Sequence, residues 1–223
     1  MIRGAAFCPH PPLLVPEVAR GAAAELDPLR LACRTAIRRV AVPGRPIVVL
    51  GAGPQWLAYG SAVRGSLAGY GVNGDVPLGA DEPGPVELPL SLTIAAWLLR
   101  DALGPGCGAT GWAVGPDEGE LVVDADAALL VMGDGSARRS VSAPGYYDGR
   151  AEAFDAGVAA ALRAGDAAGL RADVEVGDEL LAAGARTWRA AADLLDGRPW
   201  NAELLYDAAP YGVGYLVAAW TEA

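Results

Sequence analysis

Two hydrophobic patterns alternate along the chain, and each predicts a different secondary structure. Residues 46–50 and 127–132 are almost wholly apolar and run into glycines, as buried strands of parallel sheets tend to do. In residues 17–40, apolar side chains instead recur every three or four positions, which is the spacing of one helix face. With a short first strand at Ile2–Cys8, the chain is predicted to begin as a β-helix-β unit.

The alternation continues to the end of the chain. Further predicted helices cover residues 91–103, 149–164 and 176–195, and two closing strands cover residues 202–207 and 213–220. Residues 65–89 are rich in glycine, proline and acidic side chains, and are predicted to be irregular surface structure. We therefore predict an α/β fold with a mostly parallel central sheet flanked by helices, in a single domain spanning residues 1–223.

Three loops that follow predicted strands are the expected place for a functional site. They cover residues 9–12, 51–56 and 133–140, and ligands of open α/β sheets bind outside the carboxyl ends of the strands. The glycines at 51 and 53 do not predict a dinucleotide site, because the third glycine and the following acidic residue of that motif are missing.

Composition and charge exclude several classes of function. The net charge is −10, every basic residue is an arginine, and the arginines are scattered, which disfavours nucleic-acid binding. No apolar run is long enough to cross a bilayer, and the N-terminus lacks the pattern of a secretion signal. The three cysteines are an odd number without CxxC spacing, so we expect a cytoplasmic protein with no membrane partner.

His10 is the single histidine of the chain and lies between Pro9 and Pro11, directly after the first strand. Prolines on both sides would fix the direction of the imidazole, as suits a preorganised ligand or base. The alternative is a histidine that only stabilises the turn by hydrogen bonding.

Ser136 is the candidate nucleophile of a hydrolase, because it follows a core strand and Asp134 is close in sequence. Such a triad would need His10 as the base and Asp134 or Asp207 as the acid. The alternative is a turn with a surface arginine pair at 138 and 139.

Carboxylates are the other candidates for chemistry near His10. Together with the imidazole they would suit a hard metal ion, whereas capping and surface solvation are the alternative roles. The candidate carboxylates are Glu17, Asp134, Asp148 and Asp207.

Four segments in order along the chain resemble one family. The family is the catalytic-subunit (LigB-like) family of class III extradiol ring-cleavage dioxygenases, in its compact bacterial branch. The resemblance covers nearly the whole chain and is weakest between about residues 60 and 120. The segments are CPHPPLLVPEV at 8–18, MGDGSAR at 132–138, APGYYDGR at 143–150 and APYGVGY at 209–215.

The resemblance implies a metal site that this sequence does not complete. In the family, two histidines and a glutamate hold a non-haem Fe(II), and a further histidine acts as acid/base during ring opening. His10 matches the first ligand, whereas Gly53 stands at the second histidine, Ala137 at the acid/base histidine and Ala185 at the glutamate. With one histidine in the chain, a two-histidine site cannot be built in any alignment.

We therefore predict a LigB-like protein that has lost Fe(II)-dependent ring cleavage and needs no cofactor. It would act as a binding or subunit-interaction module for a small molecule or a protein subunit, with pocket residues His10, Gly53, Asp134, Ala137, Ala185 and Asp207. The alternative is an enzyme of altered chemistry in the same pocket, with either a carboxylate-rich metal site around His10 or a Ser136-based hydrolase. A third option is a structural partner that associates through an oligomer face, including a homo-oligomer.

Overall fold

The computed structural model describes residues 1–117, 119–123 and 126–223. Its α-helices are α1 (Pro16–Ala19), α2 (Asp27–Val40), α3 (Leu90–Leu103), α4 (Ala151–Ala164), α5 (Val174–Glu179) and α6 (Ala185–Leu195). Its strands are β1 (Ile2–Cys8), β2 (Ile47–Ala52), β3 (Leu57–Tyr59), β4 (Arg64–Ser66), β5 (Asp75–Pro77), β6 (Ala109–Val114), β7 (Ala127–Met132), β8 (Trp200–Ala208) and β9 (Tyr215–Glu222). Short 3₁₀ helices occur at Pro12–Leu14, Arg20–Leu26, Ala68–Tyr70 and Ala168–Leu170.

Seven strands form one mixed sheet in the order β3-β6-β2-β7-β1-β9-β8. The four neighbours β6, β2, β7 and β1 run parallel to one another, whereas β3, β9 and β8 are antiparallel to their neighbours. The predicted α/β class is therefore confirmed, and the parallel arrangement is confined to the centre of the sheet. The closing strands are antiparallel because a short turn joins β8 to β9, and parallel strands require a long crossover.

Helices cover both faces of the sheet and explain the apolar runs of the sequence. One core cluster packs α2 and α3 against the sheet, and a second packs α4 and α6 against the opposite face. Along β7, Ala128, Leu130 and Met132 enter the first cluster, while the alternate residues enter the second. A strand buried on both faces has no polar alternation to show.

Two predicted helices are divided in the structure. The segment predicted at 17–40 contains α1, a 3₁₀ turn and α2, with a break at Arg20, whose φ is +51°. Pro28 lies in the first turn of α2, where a proline is tolerated, whereas inside a longer helix it would remove a hydrogen bond. The segment predicted at 176–195 is divided at Leu181, whose φ is +55°, into α5 and α6.

Three regions contain strands that the sequence pattern did not predict, and one of them is β3 at Leu57–Tyr59. Residues 65–89, predicted as irregular, include part of the small antiparallel pair formed by β4 and β5. β6 was also not predicted, since it contains Gly111, and glycine weakens the strand signal. A Cβ at Gly111 would lie 3.0 Å from the side chain of Leu78, so the glycine permits close packing there. Within the described residues, no helix is both long and apolar enough to cross a membrane.

Candidate functional site at the carboxyl ends of β1 and β7

The neighbouring strands β1 and β7 send their following segments to opposite faces of the sheet. β1 leads to α2, which packs in one core cluster, and β7 leads to α4, which packs in the other. A crevice forms where two parallel neighbours diverge in this way, and such crevices are the usual ligand sites of open α/β sheets. The loops 9–12 and 133–140 lie at this point of the fold.

The structure brings His10 and Asp134 together at this point of the fold. The backbone N–H of His10 donates a hydrogen bond of 2.7 Å to Oδ1 of Asp134, and the imidazole Nδ1 lies 3.5 Å from the same oxygen. The side chains are only 10% and 15% exposed. Nδ1 has no hydrogen-bond partner in the described part of the chain. A buried polar atom left in this way is costly unless something else binds it.

Two neutral side chains, Tyr215 and Cys33, lie close to Asp134. Burial, followed by the nearby Asp134 carboxylate, raises the pKa of Tyr215 on β9. Burial, followed by a hydrogen bond with Cys8, raises the pKa of Cys33 on α2 well above its usual value. The phenol and the thiol therefore stay protonated at neutral pH.

Ser136 is held in the backbone of its own turn. Its side chain is fully buried, and its Oγ donates to the carbonyl of Leu180 at 2.8 Å while accepting from the N–H of Arg138 at 3.1 Å. The hydroxyl proton is thus already used in a hydrogen bond. This setting is that of a serine that stabilises a turn.

Asp155, which the sequence analysis did not single out, organises the loop after β7. Its buried carboxylate accepts the N–H of Ser136 at 2.8 Å and pairs with Arg139 at 2.9 Å. Burial raises the pKa of Asp155, and these two donors oppose that shift. A Cβ at Gly214 would lie 2.2 Å from a carboxylate oxygen of Asp155, so the glycine makes room for it. The detectable signal was an acid on the apolar face of α4, in line with Ala151, Val158 and Leu162.

The other carboxylates considered as metal ligands have settings of their own. Asp207 is exposed on β8 and lies 3.8 Å from Arg163. Hydrogen bonds from the side chain and backbone of Arg150 lower the pKa of Asp148 to about 2, and Glu17 is exposed on α1. In the chain as described, no three His, Cys, Asp or Glu side chains are grouped closely enough to hold a metal ion.

The three positions aligned with missing family groups do not offer donors to Fe(II). A Cβ at Gly53 would lie 2.6 Å from the Cβ of Ala113. Ala185 is buried, and its Cβ lies 2.5 Å from the place that a Cβ at Gly177 would take. Ala137 contributes its backbone N–H to the carbonyl of Leu180 at 3.2 Å. His10 alone does not fit the family's metal, which needs further imidazole and carboxylate ligands.

Exposed apolar side chains lie on the loops that follow β7 and α5. Tyr146 and Tyr147 are 65% and 57% exposed, and Val141 is 70% exposed. Leu181 is also exposed and lies against Gly145. Both Tyr146 and Leu181 have positive φ, an uncommon backbone conformation for side chains of this size.

Comparisons with known proteins add no family. No protein-family model matches the chain. No curated protein is significantly similar to it.

Proposed function

We propose that the protein is a LigB-like relative of the class III extradiol dioxygenases that has lost Fe(II)-dependent ring cleavage and acts as a binding or subunit-interaction module. The observation that carries this proposal is the His10–Asp134 pair at the divergence of β1 and β7. It keeps the imidazole of the family's first ligand at a place where α/β proteins bind ligands. The three remaining family positions are Gly53, Ala137 and Ala185.

The sheet supports the LigB-like part of the proposal. Its four central strands are parallel, and the loops that resemble the family follow β1 and β7. The strands beyond this centre are antiparallel, and the similar segment at 209–215 joins two of them, β8 and β9. A cytoplasmic location belongs to the same proposal, since Cys8, Cys33 and Cys107 are free thiols, as expected in a reducing compartment.

Loss of ring cleavage follows from the chemistry of the donors. Fe(II) is intermediate between hard and soft metal ions, and in this family imidazole and carboxylate together hold it. Each deleted ligand lowers the affinity of the site for the ion. Restoring an imidazole at Gly53 would require Ala113 to move, because even a Cβ there is too close.

A binding role is supported by two features of the crevice. Nδ1 of His10 is a buried polar atom that lacks a partner in the described structure, and a bound group would satisfy it. The exposed apolar side chains of Val141, Tyr146, Tyr147 and Leu181 lie on the loops that follow β7 and α5, and exposed apolar surface is typical of protein contact sites.

Metal analysis and a turnover assay test the proposal together. We expect purified protein, incubated with Fe(II) under anaerobic conditions and desalted, to retain far less than one iron per chain. It should show no oxygen-dependent ring opening of catechol or 3,4-dihydroxybenzoate above that of the His10→Ala variant. Stoichiometric iron, or ring opening that His10→Ala abolishes, contradicts the proposal.

The second candidate is an enzyme of altered chemistry, and one observation favours it. The Asp134 carboxylate lies 3.5 Å from Nδ1 of His10, which is close to the arrangement in which a hydrogen bond to a carboxylate orients an imidazole so that its other nitrogen acts as a base, but no such hydrogen bond is formed here. The Ser136 hydrolase version would require the bond from Ser136 to Leu180 to break, since the hydroxyl proton is engaged there. A carboxylate-rich metal version would require acids such as Asp207 to move to His10.

Ester hydrolysis separates the two candidates. The hydrolase version predicts that p-nitrophenyl esters are hydrolysed with a burst, and that Ser136→Ala and His10→Ala each abolish it. The binding module predicts that wild-type and variant proteins show the same background rate.

A further inference from the structure

A cavity of about 480 Å³ lies away from the His10–Asp134 pair, at the carboxyl ends of β2 and β6. Its walls come from the loops that follow these two strands and from one side of α6. The volume lies within the range of small-molecule sites, and the place agrees with the rule for parallel sheets.

Some of the arginines and acids that line the cavity form ion pairs, and others do not. Arg186 pairs with Asp178, and Asp193 pairs with Arg171 at 3.1 Å. Arg189, one turn from Arg186 on α6, has no ion pair or side-chain hydrogen bond with any described residue. Among the described residues, Arg189 is therefore the arginine of the lining without an acidic partner, and its side chain is exposed.

Asp117 provides the opposite charge in the same cavity. Its carbonyl accepts a hydrogen bond of 2.7 Å from Nε1 of Trp56, but its carboxylate has no partner among the residues that the structure describes. The cavity lining thus holds a guanidinium and a carboxylate that lack partners among the described residues. This favours a ligand that carries both charges.

The remaining wall is apolar and partly rigid. The hydrogen bond to Asp117 fixes the Trp56 indole, and Gly119 approaches its ring so closely that a Cβ there would lie 2.2 Å from it. Val114 and Val174 add aliphatic surface. Such a wall suits an aliphatic or aromatic side chain.

We infer that this cavity binds a free amino acid with an apolar side chain, with Arg189 on its carboxylate and Asp117 on its ammonium group. The site shares no lining residue with the His10–Asp134 pair, so it does not depend on the proposed function. The arginine supplies the planar fork that carboxylates bind best, and the aspartate supplies an acceptor for an ammonium donor.

Calorimetric titration with four probes tests the inference. The probes are leucine, phenylalanine, N-acetylleucine, which lacks the cation, and leucinamide, which lacks the anion. We expect saturable one-to-one binding of leucine or phenylalanine in the millimolar range or tighter, and about tenfold weaker binding of both leucine derivatives.

Two variants assign the charges. Arg189→Gln should weaken leucine binding by about tenfold and leave leucinamide binding unchanged, and Asp117→Asn should weaken leucine but not N-acetylleucine. Arg163→Gln, at an exposed arginine of α4, is the matched control and should bind leucine like the wild type. Circular dichroism of each variant checks that it is folded. Absence of saturable binding by both amino acids, equal binding of all four probes, or wild-type leucine binding by folded Arg189→Gln overturns the inference.

Discussion

The carboxyl ends of β1 and β7 differ from those of β2 and β6 in how their polar groups are used. At β1 and β7 the carboxylates of Asp134 and Asp155 are bound to backbone N–H groups, and the loop is closely packed around them. At β2 and β6 a cavity of about 480 Å³ is left open, with Arg189 and Asp117 unpaired in the described structure. The charged groups at the ends of β1 and β7 therefore stabilise their own loops. Those at the ends of β2 and β6 remain available to bind a ligand.

The two ends should therefore respond differently to mutation, one in stability and the other in binding. Polar substitutions at the packed end should change stability, because they remove partners of buried groups. Polar substitutions at the open end should change binding and leave stability nearly unaffected, because exposed side chains contribute little to folding.

Removal of the Asp155 carboxylate should have the largest effect. Asp155→Ala leaves the N–H of Ser136 and the guanidinium of Arg139 without their acceptor, and should lower the free energy of unfolding by about 3 kcal/mol. Urea denaturation measures it. Glu152→Ala, at an exposed acid on the same helix that also faces Arg139, is the control and should cost under about 0.5 kcal/mol. Equal effects of the two variants would mean that the packed end is not held by Asp155.

A methyl group at Gly53 should have the next largest effect. The Cβ of Gly53→Ala would lie 2.6 Å from the Cβ of Ala113, so we expect a loss of about 1–3 kcal/mol in unfolding free energy. Gly60→Ala is the matched control, since a Cβ there meets no atom within 4 Å. Unchanged stability of Gly53→Ala would show that Ala113 can move away from the added methyl group without cost.

Loss of the Ser136 hydroxyl should have a moderate effect. Ser136→Ala removes one of the two donors to the carbonyl of Leu180 and the acceptor of the Arg138 N–H, and should cost about 1 kcal/mol of stability. Ser142→Ala, at an exposed hydroxyl that contacts Ser140, should be close to neutral. A stable Ser136→Ala variant would contradict the structural role and favour a chemical one.

The smallest effect should be a change in acid stability from Asp148. Its pKa is lowered from 3.8 to about 2 in the folded protein, so the stabilisation is present above about pH 4 and lost as the pH falls towards 2. Asp148→Asn should therefore flatten the fall in stability across that range. Denaturant titration at successive pH values measures the slope, and Asp166→Asn provides the control. An unchanged slope would mean that the pair with Arg150 does not form in solution.

The central strands were predictable because burial on both faces leaves an unmistakable apolar run, as in β7. β6 was not predicted because its Gly111 weakens the strand pattern. The glycine allows close packing against Leu78, which lies 33 positions away and therefore outside any short stretch of sequence. The breaks at Arg20 and Leu181 were equally invisible, since both residues adopt a positive φ that their type does not suggest.

At the site, the meeting of His10 and Asp134 could be anticipated from their places after two strands, once the strands were taken as neighbours. The partner of Ser136 could not, because Leu180 lies 44 positions further along the chain. Asp207 was grouped with the pocket from its sequence context, whereas the register of the closing hairpin leaves it exposed on β8. Strand order and hairpin register decide such contacts, and neither is contained in periodicity.

The position of β8 at the border of the sheet also bears on aggregation. An edge strand of nine residues presents unpaired backbone groups to which another chain can add. β8 carries Glu203 and Asp207, which lie beside Arg39 and Arg163, and the opposite border is the three-residue β3. Charged side chains disfavour strand addition at β8, and the short length of β3 disfavours it at the opposite edge. Self-association is therefore directed to other surfaces of the molecule.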